Sequence, residues 1–212
     1  GAGHWVAGGI NSSWQRGIPG GNDIYAAYEG SNCWVTDLVN PYPINERSWV
    51  KSPCFDFSSL TNPVVSFAFD VYCDWDEDGA AFQYSTDGIH WYHVGYAWQF
   101  TNWYNSQWIN PLSFFGSTDG WTGYQNGWVT TSFNLSFLAN QPRVQFRFVF
   151  GSDVWQYNDE GFAFDDFRIF QPPDMQLVNL TATQAVTGPV GQGARNAQIL
   201  GIEINTTGST LP

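Results

Sequence analysis

The chain of 212 residues is long enough for one large domain with a sizeable core, and it is 18% aromatic against 12% charged. This composition excludes a disordered or fibrous chain. Seven Lys and Arg residues face nineteen Asp and Glu residues, for a formal net charge of -12. Such a surface repels phosphate backbones and anionic lipid, so nucleic acid is not an expected partner. Because no apolar run approaches the roughly 20 residues that cross a bilayer, no membrane insertion is expected.

Six segments alternate apolar and polar residues between Gly, Pro, Asn or Asp, which is the pattern of β-strands joined by turns. In chain order these predicted strands are residues 63–73, 79–88, 91–98, 127–138, 142–153 and 161–170. In the fifth segment, Gln145 and Arg147 alternate with apolar residues, so that one face enters a core. The pattern predicts an all-β fold, an antiparallel two-sheet β-sandwich of the jelly-roll type.

Two segments depart from this alternation. Residues 100–127 are rich in Trp and Gly and are predicted to form a long functional loop between strands. After Phe170, the prolines of "QPPD" break any strand, and the composition changes from aromatic to small and β-branched residues. We therefore expect a jelly-roll domain at residues 1–171. Residues 174–212 are expected to be a short appendage, a partial second β domain with candidate strands at 175–183 and 197–206.

The turn "CDWDEDG" holds four carboxylates within five residues, at Asp74, Asp76, Glu77 and Asp78. Calcium prefers roughly six to eight oxygen ligands, which acids and backbone carbonyls of a loop supply. In "FDDF", near the end of the last predicted strand, one Asp faces inward if alternation holds, and a buried carboxylate needs a cation or several donors. The candidate ligands of a structural Ca²⁺ are Asp74, Asp76, Asp78, Asp165 and Asp166. The alternative is a solvated acidic turn.

Catalysis has little support in the sequence. Glycosidases need two carboxyl groups at a set spacing in a cleft, but the glutamates here are scattered along the chain. The histidines are His4, His90 and His93, too few for a convincing nucleophile system, and no G-x-S-x-G motif occurs. We therefore expect a protein that is not an enzyme.

Aromatic and amide residues are interleaved in "NWYNSQW" (102–108) and "DGWTGYQNGW" (119–128). Aromatic rings stack on the C–H faces of sugars, and Asn, Gln and Asp side chains bond sugar hydroxyls. The candidate ligand-binding residues are Trp103, Tyr104, Trp108, Trp121 and Tyr124. The alternative is that these rings plug the ends of the sandwich.

Several phrases together resemble a known family: "SWVKSPCFDFSSLTNPVVSFAFDVY", "DGAAFQYSTDGIHWYHVG", "VQFRFVFGSD" and "DEGFAFDDFRI". Over most of residues 20–171 the chain resembles the MAM-like jelly-roll module of large secreted and surface proteins, especially of Bacteroidota. Residues 174–208 resemble the start of the small β domain that precedes BNR-type repeats in surface proteins exported by the type IX route. With only Cys33, Cys54 and Cys73, the chain departs from the paired cysteines of animal MAM domains.

The resemblance implies a non-catalytic, calcium-stabilised module for adhesion or glycan recognition, on the outer surface of a bacterium. Its expected partners are a glycan or a surface protein, and secretion or gliding machinery. One alternative is a structural spacer or an accessory subunit that docks on a secretion or motility complex, with the tail strands completing a partner's sheet. Another is an accessory domain of a glycan-degrading or proteolytic enzyme.

Overall fold

A computed structural model describes residues 4–155, 158–173, 176–183, 189 and 201–207. These residues form β-strands and turns, with two short 3-10 helices at Asn110–Phe115 and Ser136–Leu138. The chain divides into two compact units, Gly1–Phe170 and Gln171–Pro212. Neither helix in this part of the chain is long and apolar enough to cross a membrane.

The first unit contains two five-stranded sheets in which all neighbouring strands are antiparallel. The first sheet contains, in spatial order, β1 (Val6–Ile10), β4 (Arg47–Lys51), β9 (Gln145–Gly151), β6 (Gly79–Ser85) and β7 (Tyr92–His93). The second contains β2 (Trp14–Gly17), β3 (Cys33–Thr36), β10 (Gly161–Phe170), β5 (Val64–Tyr72) and β8 (Val129–Asn134). The prediction of an all-β, two-sheet sandwich is therefore confirmed.

Alternating phenylalanines build the core between the two sheets. In β9, Phe146, Phe148 and Phe150 are completely buried, whereas Gln145 and Arg147 on the opposite face are partly exposed. Phe148 packs against Phe164 and Phe162 of β10, with ring centroids 4.0 and 5.9 Å apart. Because each buried aromatic side chain removes about 150–250 Å² from water, these facing rows hold the two sheets together.

The predicted strand at 91–98 is much shorter in the structure, where only Tyr92–His93 pairs with β6. The chain turns away because Gly95 has a φ of 73° and Trp98 a φ of 58°. A Cβ at position 95 would lie 2.6 Å from the ring of Phe133, so only glycine fits there. Residues 100–127 then form the expected long loop, joined to the sandwich by isolated bridges such as Ala80–Trp121.

The second unit contains a two-stranded antiparallel sheet of β11 (Gln176–Thr183) and β12 (Gly201–Thr207). Leu180 and Ile202 on these strands are 58% and 63% exposed. A two-stranded sheet with exposed apolar side chains is marginally stable by itself.

Candidate functional site

The acidic turn after β5 is a hydrogen-bonded part of the fold. Asp78 is 1% exposed; its Oδ2 accepts a hydrogen bond from the Tyr42 hydroxyl (2.5 Å), and its Oδ1 accepts one from the Asp153 backbone N–H (2.7 Å). Burial raises the pKa of Asp78 to about 7. Protein donors therefore occupy both oxygens of this carboxyl group.

Of the other two candidate ligands in the turn, Asp76 has a partner at its carboxylate, and Asp74 has one at its backbone oxygen. Asp76 accepts a hydrogen bond from the Ser106 hydroxyl, and its backbone N–H donates to the Thr122 hydroxyl oxygen (3.0 Å). The Thr122 hydroxyl lies within hydrogen-bond distance of the backbone oxygens of Asp74 (3.0 Å) and Asp78 (2.6 Å). These bonds fasten the turn to the long aromatic loop.

The structure does not bring Asp165 and Asp166 to this turn. In the β10–β5 register, Gly161 pairs with Tyr72, whereas Asp165 pairs with Ala68. Asp165 therefore lies four residues farther along the strand, about 13 Å at the usual rise per residue. A β-bulge follows it, and both carboxylates are half-buried.

Each of these two carboxylates has a partner of its own. Asp165 accepts a hydrogen bond from the Glu29 backbone N–H (3.0 Å), and Asp166 pairs with Arg168 Nε (2.6 Å). In the described residues, no group of three or more His, Cys, Asp and Glu side chains is arranged to hold a metal ion. The five predicted ligands thus do not form one site, because the strand register separates them.

Glu160, immediately before β10, is held by backbone N–H groups of the 22–24 segment. The Glu160 carboxylate accepts hydrogen bonds from the backbone N–H groups of Asn22, Asp23 (3.1 Å) and Ile24 (2.6 Å). A Cβ at Gly21 would lie 2.2 Å from Glu160 Oε2, so the close approach requires glycine. This carboxylate binds the 21–24 segment to the second sheet.

Asp70 of β5 is a buried acid near Glu160 and Asp23. It is 3% exposed, and burial raises its pKa to about 6, with the charges of Asp23 and Glu160 adding to the shift. Neither Asp70 nor Glu160 was predicted from the sequence as a site residue. The available signal was an acid in the middle of the apolar strand "FAFDVY".

Three of the five candidate ligand-binding aromatics are core residues. Trp103, Tyr104 and Trp121 are 2%, 0% and 1% exposed. Their polar atoms are satisfied by backbone groups: Trp103 Nε1 donates to Val94 O, Trp121 Nε1 to Asn102 O, and the Tyr104 hydroxyl donates to the backbone oxygen of β6 residue 82. These rings plug the end of the sandwich, so the prediction that their faces stack on a ligand is corrected.

The other two candidates are on the surface. Trp108 is 59% exposed, and its ring lies 5.5 Å from that of Trp98. Tyr124 is 54% exposed and packs against Tyr72 at 4.6 Å, with its hydroxyl 3.4 Å from Asp159 Oδ2. Each therefore remains available to a ligand, in a separate pair of rings.

A cleft of about 260 Å³ opens beside the first of these pairs. Trp98 and Phe100, 57% and 52% exposed, line it together with the amides Asn102 and Gln125. The remaining lining residues, most of them buried, are Phe69, Val71, Trp103, Tyr104, Asn105 and Trp121. The buried aromatic plug is therefore the floor of a cleft whose exposed rim is aromatic and amide. We call this the aromatic cleft.

Trp98 has an unusual backbone conformation. Nine non-glycine residues in the described chain have positive φ, and eight of them are Asn or Asp, which tolerate the left-handed region. Trp98 is the exception, at φ 58°. Its N–H donates to Tyr104 O at 2.8 Å, so the surrounding loop holds the strained residue in place. Strain of this kind costs about 1–3 kcal/mol and clusters at binding and catalytic sites.

The two amides at the rim each retain an acceptor. Asn102 Nδ2 donates to Thr130 O (3.0 Å), and Gln125 Nε2 donates to Gly127 O (2.8 Å) and Phe69 O (3.3 Å). No described residue donates a hydrogen bond to Asn102 Oδ1 or Gln125 Oε1. Trp98 and Phe100 were not predicted from the sequence, whereas Asn102 and Gln125 lie within the two predicted stretches without being named as candidates. The signal in the sequence was the "YAWQFTN" run directly beside the predicted stretches.

No known protein family matches the sequence, and no curated protein matches it. Among solved structures, the chain is similar to TmCBM61 in complex with β-1,4-galactotriose, at 12% identity and a TM-score of 0.48 over 79% of this chain and 88% of that chain. It is also similar to the K2 cleaved adhesin domain of Lys-gingipain (18%, TM-score 0.47, 79% and 88%). A third similarity is to the glycoside hydrolase domain of Endo-D from Streptococcus pneumoniae R6 (12%, TM-score 0.45, 85% and 25%). These identities and TM-scores are too low to transfer any activity to this chain.

Proposed function

We propose that the chain is a non-catalytic module that binds a glycan in the aromatic cleft. The observation that carries this proposal is the backbone of Trp98, a bulky residue held at φ 58° with its indole 57% exposed. A strained conformation that exposes an apolar ring costs stability and contributes little to the core. Recognition of a ligand by that ring accounts for both features.

The chemistry of the lining residues favours a sugar. Trp98 and Phe100 offer apolar ring faces to C–H groups, while Asn102 and Gln125 offer amide oxygens to hydroxyl donors. A site with mostly aromatic walls and a few placed polar groups is typical of small-molecule recognition. The ring pair of Trp98 and Trp108 extends this surface beyond the cleft.

The same lining opposes a catalytic role. Glycoside hydrolysis uses a pair of carboxyl groups on either side of the scissile bond. None of the residues that line the aromatic cleft is Asp, Glu, His, Cys or Lys. The one phenol, that of Tyr104, is buried and bonded to the backbone. The cleft therefore has groups that bind a sugar and lacks groups that cleave one.

The proposal also includes calcium stabilisation of the module. It further includes a MAM-like module that is exported by the type IX route and exposed at a bacterial cell surface. The five predicted calcium ligands do not fit together, since the register separates them and Asp78 has protein donors on both oxygens. The support for a cation is the burial of the Asp70 carboxyl, which is 3% exposed. In the described residues, Asp70 does not form a ready-made metal site with Asp23 and Glu160, so backbone oxygens or water would have to complete the ligands. A bound cation would offset the cost of burying this carboxylate.

A second role, docking of the tail strands onto a secretion or motility complex, rests on the β11–β12 sheet. Two strands alone are marginally stable, and Leu180 and Ile202 on them are exposed. Strand addition to a partner's sheet would bury such residues. Loss of a partner from pull-downs after removal of residues 174–212, with retained glycan binding, would separate this role from the first.

The glycan proposal is tested with an array of neutral and anionic glycans, probed with the wild-type chain, Trp108→Ala and Trp155→Ala. Trp108 packs against the rim residue Trp98. Trp155 is 65% exposed and, among the described residues, forms no ring pair with a residue of the cleft, so it is the matched control. We expect wild type and Trp155→Ala to bind the same glycans and Trp108→Ala to bind them more weakly. No binding of the wild-type chain to any glycan contradicts the proposal.

A further inference from the structure

We infer that the aromatic cleft is one end of a groove that binds an internal stretch of a neutral polysaccharide chain, and this inference rests on the proposed glycan binding. A second cavity of about 440 Å³ adjoins the cleft. Phe100 and Asn102 line both cavities, and the second continues over Thr101 to β8. The combined space follows the sandwich from the exposed tryptophans to the edge of a sheet. Because this space continues past the aromatic cleft, a ligand that fills it extends beyond one terminal sugar.

The far end of this groove is an open strand edge. β8 is the last strand of its sheet. Leu135 N donates to Pro63 O across the pair at 2.8 Å. Because N–H and C=O groups alternate sides in an antiparallel pair, Phe133 and Thr131 bond to β5. The backbone N–H and C=O of Ser132 consequently point away from β5 toward the groove, where they are available to the hydroxyl groups of a ligand.

Side chains at this end are hydroxyls. Thr130 and Ser132 face outward and are exposed, whereas Thr131 is 6% exposed. Thr131 Oγ1 is buried and has no hydrogen-bond partner among the described residues. A buried polar atom without a partner costs about 1–3 kcal/mol. Thr130 and Ser132 are therefore the hydroxyl side chains of this end that a ligand can reach.

Charge selects the class of polysaccharide. The lining residues of the two cavities include no Lys, Arg, Asp or Glu. The chain as a whole carries a formal net charge of -12, so a uronate or sulfated glycan is repelled without a local cation to offset the repulsion. A neutral chain suffers no such penalty, and its hydroxyls match the amides and hydroxyls of the groove.

The groove predicts a specific dependence on ligand length. A disaccharide fills the aromatic cleft alone, whereas a hexasaccharide also reaches Thr130 and Ser132. Each added contact then strengthens binding until both cavities are filled. Ser132→Tyr places a ring in the second cavity, whose lining does not include Trp98 or Gln125. Asn134→Tyr adds a ring on the same outward face of β8, outside both cavities. It also removes the hydrogen bonds of Asn134 to Asn62 and Ser136, so its thermal midpoint is measured beside its affinity.

The test is calorimetric titration of the full chain with neutral oligosaccharides of two to six units, of the type selected by the array, and with uronate oligomers. For wild type and Asn134→Tyr we expect the hexasaccharide to bind at least about tenfold more tightly than the disaccharide, a difference of about 1.4 kcal/mol. Ser132→Tyr should lose this gain and keep the disaccharide affinity, with a thermal midpoint close to that of wild type. Uronate oligomers should bind at least about tenfold more weakly than neutral ones.

Three results overturn the inference while leaving glycan binding intact: equal affinity for disaccharide and hexasaccharide, an unchanged length dependence in Ser132→Tyr, or equal binding of uronates. Capture of an alternating Thr-Val peptide at β8 in competition with the hexasaccharide would assign the edge to strand addition and also overturn it. Failure of every glycan to bind overturns the proposed function itself, and the groove with it.

Discussion

The indole rings of Trp98 and Trp108 lie 5.5 Å apart at an interplanar angle of 60°, and both are more than half exposed. The two residues are ten positions apart, in a loop whose other tryptophans, Trp103 and Trp121, are buried. One loop therefore contains both the aromatic plug of the sandwich and the surface proposed to bind a ligand. The buried pair fixes the position of the exposed pair.

Tyr42→Phe should destabilise the fold by about 1–3 kcal/mol, because it removes the hydroxyl donor from the buried Asp78 carboxyl and leaves that oxygen unsatisfied. Chemical denaturation measures the change in the free energy of unfolding. Tyr25→Phe, at a position 70% exposed, is the control and should have no effect. Equal stability of Tyr42→Phe and wild type would show that this hydrogen bond is unimportant.

Stability should increase as the pH is lowered from about 8 to about 6.5. Burial raises the pKa values of Glu46, Asp70 and Asp78 to about 7, 6 and 7. A carboxyl with a raised folded pKa contributes stability that is fully present below its unfolded pKa of about 4. That contribution is lost as the pH rises through the folded pKa, because the folded state binds the proton more tightly.

His93 opposes this trend at lower pH. Burial lowers its pKa to about 4, so its contribution is present above the unfolded pKa of about 6.5 and is lost as the pH falls through 4. Between pH 8 and 6.5 the carboxyls therefore determine the slope, at up to about 1.4 kcal/mol per pH unit for each proton taken up. Urea denaturation across this range measures it.

Glu46→Gln removes one of these titrating carboxyl groups and so measures its share of the pH dependence. The Glu46 carboxylate is completely buried and accepts hydrogen bonds from Ser13 N (2.9 Å), Ser13 Oγ (2.7 Å) and Ser48 Oγ. The variant should show a shallower increase in stability between pH 8 and 6.5 than wild type does. An identical slope would mean that Glu46 is already ionised in the folded protein at neutral pH.

Calcium should raise the thermal midpoint, and a chelator should lower it, if a cation offsets the buried charge of Asp70. Asp70→Asn removes that charge and should abolish the response to calcium, whereas Asp165→Asn, which lies farther along β10, should retain it. A midpoint that is the same with calcium and with chelator contradicts calcium stabilisation. A response lost in Asp165→Asn but kept in Asp70→Asn would restore the original set of ligands.

The strands of the sandwich were predictable because their pattern is local. Alternation in segments such as 142–153 reports which face is buried, and β9 forms there with its phenylalanines in the core. The first four strands, β1 to β4, are only four or five residues long, and their short alternation gave no clear signal. Their pairing is set by contacts far away in sequence, such as β4 with β9.

The candidate site was harder to predict because exposure is decided by three-dimensional packing. Trp103 and Trp108 occur in the same "NWYNSQW" phrase, yet one is 2% and the other 59% exposed. The five predicted calcium ligands do not come together for a similar reason, since the β10–β5 register determines which carboxylates lie near the turn after Tyr72. Neither the side of the loop that is buried nor the strand register can be predicted from composition or spacing.

The central claim is that Trp98 is held in a strained conformation in order to contact a glycan, and Trp98→Asn tests it most directly. Asn tolerates the left-handed backbone, so the variant should relieve part of a strain of about 1–3 kcal/mol. We expect an unchanged or higher thermal midpoint, together with binding to the best array glycan that is at least about tenfold weaker than in wild type and in Trp155→Asn. Wild-type affinity in Trp98→Asn, or a midpoint lowered as for a core residue, would contradict the account.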